Sequence, residues 1–409
     1  FAFVRKFKIW LICSIILMAA SIGMLFVNKQ VRGDYMNWTI DFKGGTEIIY
    51  AFKDKQTGEY VAVDSAKVRQ TFEKAKEEGI ELSNIEYTES TPSGDKEVKG
   101  LIVRSPRFSA ITPDQKDKAT AGFMEKFKDR EIHKAAWSGD RLHVRSQKAI
   151  SDAEAVPVFT AQTLEVKSWT DKEREQYAHP DEGTGEYNQV FAMWGLDRQY
   201  AHLLDAELGN VQTIPVQSYG VGAKAGEKLR NDATKALVYA IFLIMLYLAF
   251  RFDVRYAPGA AFATIHDAVM VIGVFAVTWQ EVSLVSVAGL LTVIGFSVND
   301  TVVVFDRIRE NQAKLKDKKI ERIIDISINE MLVRTVLTST TVFATTLIMN
   351  IFGTGVVKNF AFAMNVGVIV GVYSSIFLAA PVFLWISRKW YAGPPKRRRA
   401  AAASAEAAP

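Results

Sequence analysis

The amino-acid sequence predicts an α-helical integral membrane protein with six transmembrane helices and an α+β domain inserted between the first two helices. Two observations carry this prediction. Six apolar stretches interrupt the 409 residues, and most of them reach the roughly 20 residues that a helix needs to cross a bilayer. Most of the charged residues lie in a single segment, 30–233, between the first and second stretches.

Overall composition excludes several other classes of protein. The 50 basic and 45 acidic residues leave a net charge of +5. This small excess clusters beside the apolar stretches, so we expect no nucleic acid among the partners. The single cysteine, Cys13, excludes a disulfide scaffold and a cysteine-rich zinc site. The histidines of the charged segment lack metal-ligand spacing and there is no Walker A sequence, so we predict no metal, no cofactor and no enzymatic activity.

The six predicted spans are stretches with few or no charged residues. They cover residues 9–27, 236–250, 256–279, 282–299, 335–357 and 359–387. Span 1 is longer than the apolar core of a cleavable signal peptide and ends without an A-x-A cleavage site, so it is predicted to remain as an anchor. Span 2 is short, and Lys235 can extend it by reaching to the membrane surface. The predicted domains are therefore 1–29 for the first helix, 30–233 for the inserted domain and 234–390 for helices 2–6.

Basic residues in the short loops predict the orientation of the chain. They precede span 1, join spans 2 and 3 through Arg251 and Arg255, join spans 4 and 5, and follow span 6, whereas the opposite loops hold only Glu281 and Lys358. Because cytoplasmic loops are enriched in lysine and arginine, we expect both termini in the cytoplasm and segment 30–233 across the membrane. The basic loops suggest contact with anionic lipids, and the low-complexity tail, 391–409, is expected to be disordered.

The inserted domain begins with the pattern of a small α+β layer. The predicted elements are two extended pieces within 38–52 around a Gly44-Gly45 turn, a helix over 66–79, and strands over 84–87 and 98–103 around a Ser93-Gly94-Asp95 turn. That βαββ order suits a ferredoxin-like layer, in which helices cover one face of the sheet.

The second part of the inserted domain is richer in helices. The predicted elements are helices over 112–132 and 152–164, a strand over 141–146, an exposed loop over 171–189, a returning strand over 210–219, and a helix from Gly226 into span 2.

Three charged residues lie within or beside the spans, at a similar depth in the cytoplasmic half of the membrane. They are Asp267 in span 3, Asp300 at the end of span 4 and Arg334 before span 5. A charged side chain costs about 2.5–3.5 kcal/mol at the centre of a membrane helix, so such residues normally face other helices and mark a transport path.

Helical periodicity places further residues beside these three. Ala288, Thr292, Gly295 and Asn299 form one stripe on span 4, and Arg334, Thr338, Thr341 and Thr345 form one face of span 5. Gly289 and Gly295 on span 4 and Gly367 and Gly371 on span 6 are predicted to allow close helix packing. The predicted proton pathway therefore consists of Asp267, Asn299, Asp300, Arg334, Thr338 and Thr341.

The chemistry behind this hypothesis is proton exchange at Asp300. A carboxyl group in an apolar site keeps its proton, and a nearby guanidinium favours proton release, so movement of Arg334 would switch Asp300 between the two states. Two alternatives stay open: a fixed ion pair between Asp300 and Arg334, or a position of both residues at the headgroup boundary.

The segment 295–311 reads GFSVNDTVVVFDRIREN. It is similar to the fourth-span motif of the SecF family, accessory membrane subunits of the bacterial Sec protein-export translocase within the resistance-nodulation-division superfamily. Its Asn299-Asp300-Thr301 resembles SecF rather than SecD. The other similar motifs are Asp41-Phe42-Lys43-Gly44-Gly45-Thr46 in the inserted domain, Ile265-His266-Asp267 in span 3, and Arg334-Thr335 with Thr338-Ser339-Thr340-Thr341 in span 5.

The resemblance covers about 1–105 and 208–390, and it implies a function. It implies six spans in a bacterial inner membrane, a periplasmic inserted domain, a SecD-like partner and a SecYEG-type channel. It also implies pulling of unfolded preproteins by the proton motive force, with Asp300 and Arg334 matching the pair implicated in proton passage. Residues 106–207 look like an insertion relative to the family, and the family's Val-Gly-Pro-x-Val-Gly pattern is only loosely matched at 219–226.

Two other functions remain compatible with the sequence. One is a proton antiporter of small molecules of the resistance-nodulation-division type, which would need two six-span halves and hence a dimer of this chain. The other is a passive scaffold of the translocase, in which the intramembrane charges would tolerate neutral replacement.

Overall fold

The computed structural model describes residues 3–91, 94–251 and 256–390. The helices are α1 (Phe7–Arg32), α2 (Ile40–Lys43), α3 (Ser65–Lys74), α4 (Pro113–Lys126), α5 (Asp152–Thr160), α6 (Asp171–Tyr177), α7 (Leu196–Leu208), α8 (Ala223–Arg251), α9 (Ala257–Thr278), α10 (Leu284–Lys314), α11 (Ile320–Phe352), α12 (Gly355–Ser374) and α13 (Ala380–Trp390). The strands are β1 (Asn37–Trp38), β2 (Gly45–Asp54), β3 (Glu81–Thr91), β4 (Gly94–Ser105), β5 (Ile132–Ser138), β6 (Arg141–Ser146), β7 (Val166–Lys167), β8 (Tyr187–Met193), β9 (Val211–Val221) and β10 (Glu281–Val282). The predicted disordered tail, Arg255 and Ser93 of the predicted turn lie outside the described residues.

Backbone contacts divide the chain into two compact units. The helical unit consists of Phe1–Thr39 with Arg230–Pro409, and the α+β unit is Ile40–Leu229. Six helices among the described residues are long and apolar enough to cross a membrane: Val4–Arg32, Ala223–Arg251, Ala257–Thr278, Leu284–Lys314, Ile320–Phe352 and Val357–Arg388. The predicted fold class, six apolar helices with an α+β domain between the first two, is confirmed.

Several helices differ from the predicted spans at their ends. α8 begins at Ala223, close to the helix start predicted at Gly226, and runs through span 2, whereas α11 begins at Ile320 instead of 335. Charged residues do not stop a helix, so amphipathic turns continue the backbone hydrogen bonds beyond the apolar stretch. α11 ends at Phe352 rather than at 357, because two glycines follow and Gly355 has a φ of +54°.

The helical unit is held together by aromatic and aliphatic packing near one end and by polar contacts near the other. Phe305, Ile308 and Ile324 are fully buried, and the Tyr256 ring stacks on Phe383 with centroids 4.1 Å apart. After α1, strand β1 pairs in parallel with β10, and buried Asn28 donates from Nδ2 to the carbonyl of Ala276 at 2.8 Å. These contacts join α1 to the connection between α9 and α10.

The first sheet of the α+β unit has the strand order β3-β4-β2-β9 with antiparallel neighbours. Its core contains Ile48, Phe72 and Leu204, where α3 and α7 pack on the sheet. The extended piece predicted before Gly44 is wrong over 40–43. Those residues form the single turn α2, which closes through a 2.9 Å bond from the Gly44 N–H to the carbonyl of Ile40.

A second sheet, ordered β5-β6-β8-β7, lies within the segment predicted to be an insertion. Helices α4 and α5 pack on it around Phe123, Phe159 and Phe191. The loop predicted over 171–189 is wrong at both ends, because α6 occupies its start and β8 its finish. A capping box between Thr170 and Glu173 begins α6, and such a cap outweighs the polar composition that suggested a loop.

The buried tyrosines of the first sheet make the α+β unit sensitive to alkaline pH. Tyr200 donates to Glu77 at 3.0 Å and bonds the Ser105 hydroxyl at 2.9 Å. Burial, with the Glu77 carboxylate, raises the pKa of Tyr200 to about 12. An unfolded tyrosine has a pKa of about 10, so the stabilisation is complete below pH 10 and is lost as pH rises towards 12. We expect a loss on the order of 2–3 kcal/mol in the free energy of unfolding.

This expectation is checked by urea unfolding of the full chain, followed by tryptophan fluorescence at several pH values. Tyr200→Phe should be less stable at neutral pH, because two hydrogen bonds are lost, yet its stability should fall less steeply between pH 10 and 12. Tyr50, whose pKa burial also raises, accounts for the slope that remains. Equal slopes for the wild type and Tyr200→Phe would contradict the assignment.

Candidate intramembrane proton site

Asp300 is a buried acid of α10 and one of the three charged residues that the sequence analysis identified. α10 begins at a capping box between Ser283 and Ser286 and carries Asp300 on its inner side, where the residue is 5% exposed. The Ser339 hydroxyl of α11 donates to Asp300 Oδ2 at 3.3 Å. A buried carboxyl group is therefore held between α10 and α11 by a neutral partner.

Arg334 does not form an ion pair with Asp300 in this conformation. Both residues are described by the structure, and no nitrogen of Arg334 lies within 4 Å of the Asp300 carboxylate. The Arg334 side chain lies on the exposed surface of α11. The geometry thus differs from the fixed ion pair that was one of the open alternatives.

The other predicted polar residues near Asp300 also lie on the surface of the helical unit. Asn299 is exposed on α10, and Thr338 and Thr341 are exposed on α11. The two threonine hydroxyls donate to carbonyls of their own helix, from Thr338 to Arg334 at 3.0 Å and from Thr341 to Thr338 at 2.7 Å. The polar face predicted by periodicity therefore exists, and it is open on this chain.

Asp267 forms a second buried acidic centre. It is fully buried on α9, and its Oδ1 lies 3.0 Å from Nδ1 of the neighbouring His266. Its Oδ2 accepts hydrogen bonds from Ser297 of α10 and from Ser374 of α12, the latter at 2.8 Å. No hydrogen bond joins Asp267 to Asp300, although both are described, so the two acids of the predicted pathway form separate centres.

Serine residues outside the predicted proton pathway complete both centres. Ser297 and Ser339 bond the two carboxyl groups, and Ser375 lies near both centres because it bonds the Thr301 hydroxyl at 2.9 Å and the Ser297 carbonyl at 3.3 Å. All are buried. Their signal in the sequence is weak, because a serine in an apolar helix usually bonds its own backbone.

Small residues on α10 and α12 allow these helices to approach. A Cβ at Gly367 would overlap the side chain of Val293, and one at Gly371 would lie 3.0 Å from Ser297 Cβ. Gly289 lies against Ala363 in the same way. Gly295 differs, because a Cβ there would meet no heavy atom within 4 Å. Its side of α10 instead lines a groove of about 390 Å³ with Leu243, Tyr247 and Asn299.

The two glycines of the 41–46 motif allow a tight backbone turn and close packing within the α+β unit. Gly44, at φ +81°, and Gly45, at φ +127°, adopt conformations that favour glycine. A Cβ at Gly44 would lie 2.7 Å from Cα of Ala223, and one at Gly45 would overlap the carbonyl oxygen of Ser105. The motif therefore places the start of β2 against the start of α8.

The remaining members of this motif also have structural contacts. Phe42 is 2% exposed, Asp41 lies in the first turn of α2, and the Thr46 hydroxyl donates to the carbonyl of Arg107 at 2.8 Å. Among the described residues, no three histidine, cysteine or acidic side chains come close enough together to hold a metal ion.

The C-terminal part of the chain is similar in sequence to known proteins. Residues 204–389 match the family described as protein export membrane protein SecD/SecF, C-terminal. Protein translocase subunit SecF of Gemmatimonas aurantiaca is 40% identical over 197 residues, covering 48% of this chain and 59% of that protein. SecF of Rhodothermus marinus is 37% identical over 206 residues, covering 49% and 65%. The chain thus spans about three fifths of the length of these relatives.

Two further comparisons concern the fused form and the fold. Protein translocase subunit SecDF of Brucella abortus is 43% identical over 169 residues, covering 41% of this chain and 22% of that protein. The crystal structure of SecDF from Thermus thermophilus, a translocon-associated membrane protein, has a TM-score of 0.58 and 23% identity, covering 95% of this chain and 39% of that one. At that identity the likeness concerns the fold.

Proposed function

We propose that this chain, whose residues 204–389 match the SecD/SecF family of protein export membrane proteins, is a SecF-type accessory subunit of a Sec-type translocase. It works in a bacterial inner membrane with both termini in the cytoplasm and the α+β unit in the periplasm. Its partners are a SecD-like subunit, a SecYEG-type channel, unfolded preproteins and membrane lipids. It has no enzymatic activity of its own and uses the proton motive force.

The proposed proton coupling is supported mainly by the burial and the hydrogen bonding of Asp300. It is buried and bonded by a serine hydroxyl, with no cationic nitrogen within 4 Å among the described residues. An isolated carboxylate in such a site is costly, whereas a protonated carboxyl group is not. In this conformation Asp300 is therefore suited to hold a proton, and approach of Arg334 would favour release.

The exposed polar face of the helical unit is an argument for a partner subunit that covers it. Arg334, Thr338 and Thr341 are exposed on α11, and Asn299 is exposed on α10. The two threonine hydroxyls bond their own helix, but lipid tails cannot satisfy the side chains of Arg334 and Asn299, so a second protein surface or water must cover them. A SecD-like subunit that packs there completes the proton pathway, and the same surface would serve a dimer in the antiporter alternative.

The energy available from one proton is sufficient for a mechanical step. One elementary charge that crosses 100 mV releases about 2.3 kcal/mol, which shifts a two-state equilibrium by more than tenfold. Protonation and release at Asp300 repack α10 against α11. The α+β unit responds by moving, and it alternately holds and releases the emerging preprotein.

Arg334→Met tests this proposal against a passive scaffold. We expect the variant to fold and to co-purify with the SecD-like subunit, because the side chain is exposed and lacks an ion pair within 4 Å in the described structure. Proton-dependent export should fall by at least about tenfold, because Asp300 loses the group that drives proton release. Export is measured in proteoliposomes that contain the channel, the partner and a preprotein, with and without an uncoupler.

Leu337→Met is the matched control, since Leu337 is 61% exposed on the same helix. It should export like the wild type. If Arg334→Met also exports at the wild-type rate under a full gradient, the proton-coupled function is wrong and the scaffold alternative is favoured. Failure to co-purify a SecD-like chain with the wild type would favour the antiporter alternative.

A further inference from the structure

His266 is a buried histidine that the proposed pathway does not use. It is 1% exposed, and its Nδ1 lies 3.0 Å from Asp267 Oδ1. Its other nitrogen, Nε2, is buried and has no hydrogen-bond partner among the residues that the structure describes. We propose that His266 and Asp267 form a proton-binding dyad in which His266 Nε2 takes up the proton. This inference rests on the proposed function and adds a second proton site to Asp300.

The contacts of Asp267 determine which nitrogen is available. Its Oδ2 accepts from two serine hydroxyls, so the group is arranged as a hydrogen-bond acceptor on both oxygens. Nδ1 of His266 is then the donor to Oδ1, and in a neutral ring the hydrogen sits there. Nε2 consequently carries a free lone pair. Nε2 is therefore the position of the ring that can bind a further proton, and the net charge of the dyad decides whether it does.

The net charge favours one proton on the dyad. Without it, a carboxylate and a neutral imidazole leave one negative charge in the membrane interior. With it, the imidazolium and the carboxylate are adjacent and their charges cancel. Because an unpaired charge is strongly disfavoured at this depth, the dyad retains a proton until another group can accept it.

The same proton excess can also rest on the carboxyl group. Nδ1 passes its hydrogen to Asp267 Oδ1 along their 3.0 Å hydrogen bond, the carboxyl group then donates back to Nδ1, and Nε2 keeps the hydrogen that it took up. Ser297 and Ser374 continue to donate to Oδ2 in both forms. Both forms are therefore hydrogen-bonded at Asp267 without movement of a helix.

Few other titratable groups face the dyad from the helices packed on α9. Tyr373 of α12 lies beside the imidazole, with ring centroids 5.9 Å apart, and its hydroxyl bonds Ser14 of α1. The other residues to consider are Cys13 of α1, which is exposed, Asp300 of α10, which is bonded by Ser339, and Arg388 of α13, which pairs with Glu321. Asp300 is therefore the one buried acid among these groups that could exchange a proton with the dyad.

Nitrogen NMR of the full chain with ¹⁵N-labelled histidine tests the dyad directly. The chain has five histidines, and the other four lie in the α+β unit, so the His266 signals are identified by their loss in His266→Gln. At neutral pH we expect both His266 nitrogens to carry a proton, and Asp267→Asn should leave Nε2 bare. An Nε2 without a proton in the wild type from about pH 5 to about pH 8 would overturn the proposal.

Export measurements provide a second, independent readout. His266→Gln keeps a polar side chain but cannot become a cation, and we expect an about tenfold fall in proton-dependent export. Thr264→Val is the matched control, because Thr264 is buried on the same helix and bonds only its own backbone in the described structure. An equal loss of proton-dependent export in Thr264→Val would overturn the dyad, because it would show that His266→Gln acts through a packing defect. Normal export by Asp300→Asn would instead refute the proposed function, and the NMR result would be unaffected.

Discussion

Replacing Asp300 with asparagine is expected to abolish proton-dependent export and to leave the helical unit folded. Asparagine has nearly the same shape, and its amide oxygen can still accept the hydrogen bond from Ser339. It cannot bind and release a proton, so the variant loses the coupling step. If one proton crossing 100 mV drives the step, the rate should fall by up to about fiftyfold, which corresponds to about 2.3 kcal/mol.

The measurement is the export rate in proteoliposomes that contain the channel, the SecD-like partner and the variant, with the gradient imposed or collapsed. Asp306→Asn is the matched control, because Asp306 is an exposed acid on the same helix that bonds Arg309 at 3.0 Å. It should retain wild-type export. Asp300→Asn should export at the rate that the wild type shows without a gradient, and any gradient-dependent increase in that variant would refute the coupling.

The helical unit was predictable because its signal is local. Long runs of apolar residues fix the number of helices, and a charged residue within a run is recognisable without knowing its neighbours. The helix ends were not predictable in this way. The turns of α11 before residue 335 are amphipathic, and they are helical because α11 packs on α10 there, through residues such as Ile324 and Ile328.

The α+β unit was predictable in part. Periodicity predicted the βαββ elements of the first sheet, which follow one another along the chain. It missed α6, where a capping box and contact of Tyr177 with Trp169, at 4.7 Å between ring centroids, stabilise a polar segment. Both contacts join residues that are close in sequence, so the signal for α6 was present within the segment, and the polar composition of the segment masked it.

The acidic residues of the site could be predicted from the sequence, but the side chains that form hydrogen bonds with them could not. Asp267 and Asp300 were identified from their positions in apolar helices. Helical periodicity gives the face on which Arg334 lies, but not whether that face meets another helix of this chain or its surface. The serines that bond the acids come from helices distant in sequence, and only the packing of α9, α10, α11 and α12 brings them together.

Gly367→Ala is expected to destabilise the helical unit by about 1–3 kcal/mol. The new Cβ would overlap the Val293 side chain where α10 and α12 are in contact, and overpacking of this kind forces a backbone shift. Thermal unfolding in detergent, followed by circular dichroism, measures the loss. Gly295→Ala is the matched control on α10, because its Cβ would meet no atom within 4 Å. It should be neutral or slightly stabilising, since alanine favours helix over glycine.

Val293→Ala in the Gly367→Ala background should restore much of the lost stability, because it removes the atoms that the new Cβ meets. Equal stability of Gly367→Ala and Gly295→Ala, or no recovery in the double variant, would show that α10 and α12 do not pack as described. The same shift should affect function. Gly371 follows Gly367 on α12 and lies against Ser297 of α10, so moving α12 away from α10 disturbs Ser297, which bonds Asp267. The loss of proton-dependent export should therefore follow the loss of stability across the three variants.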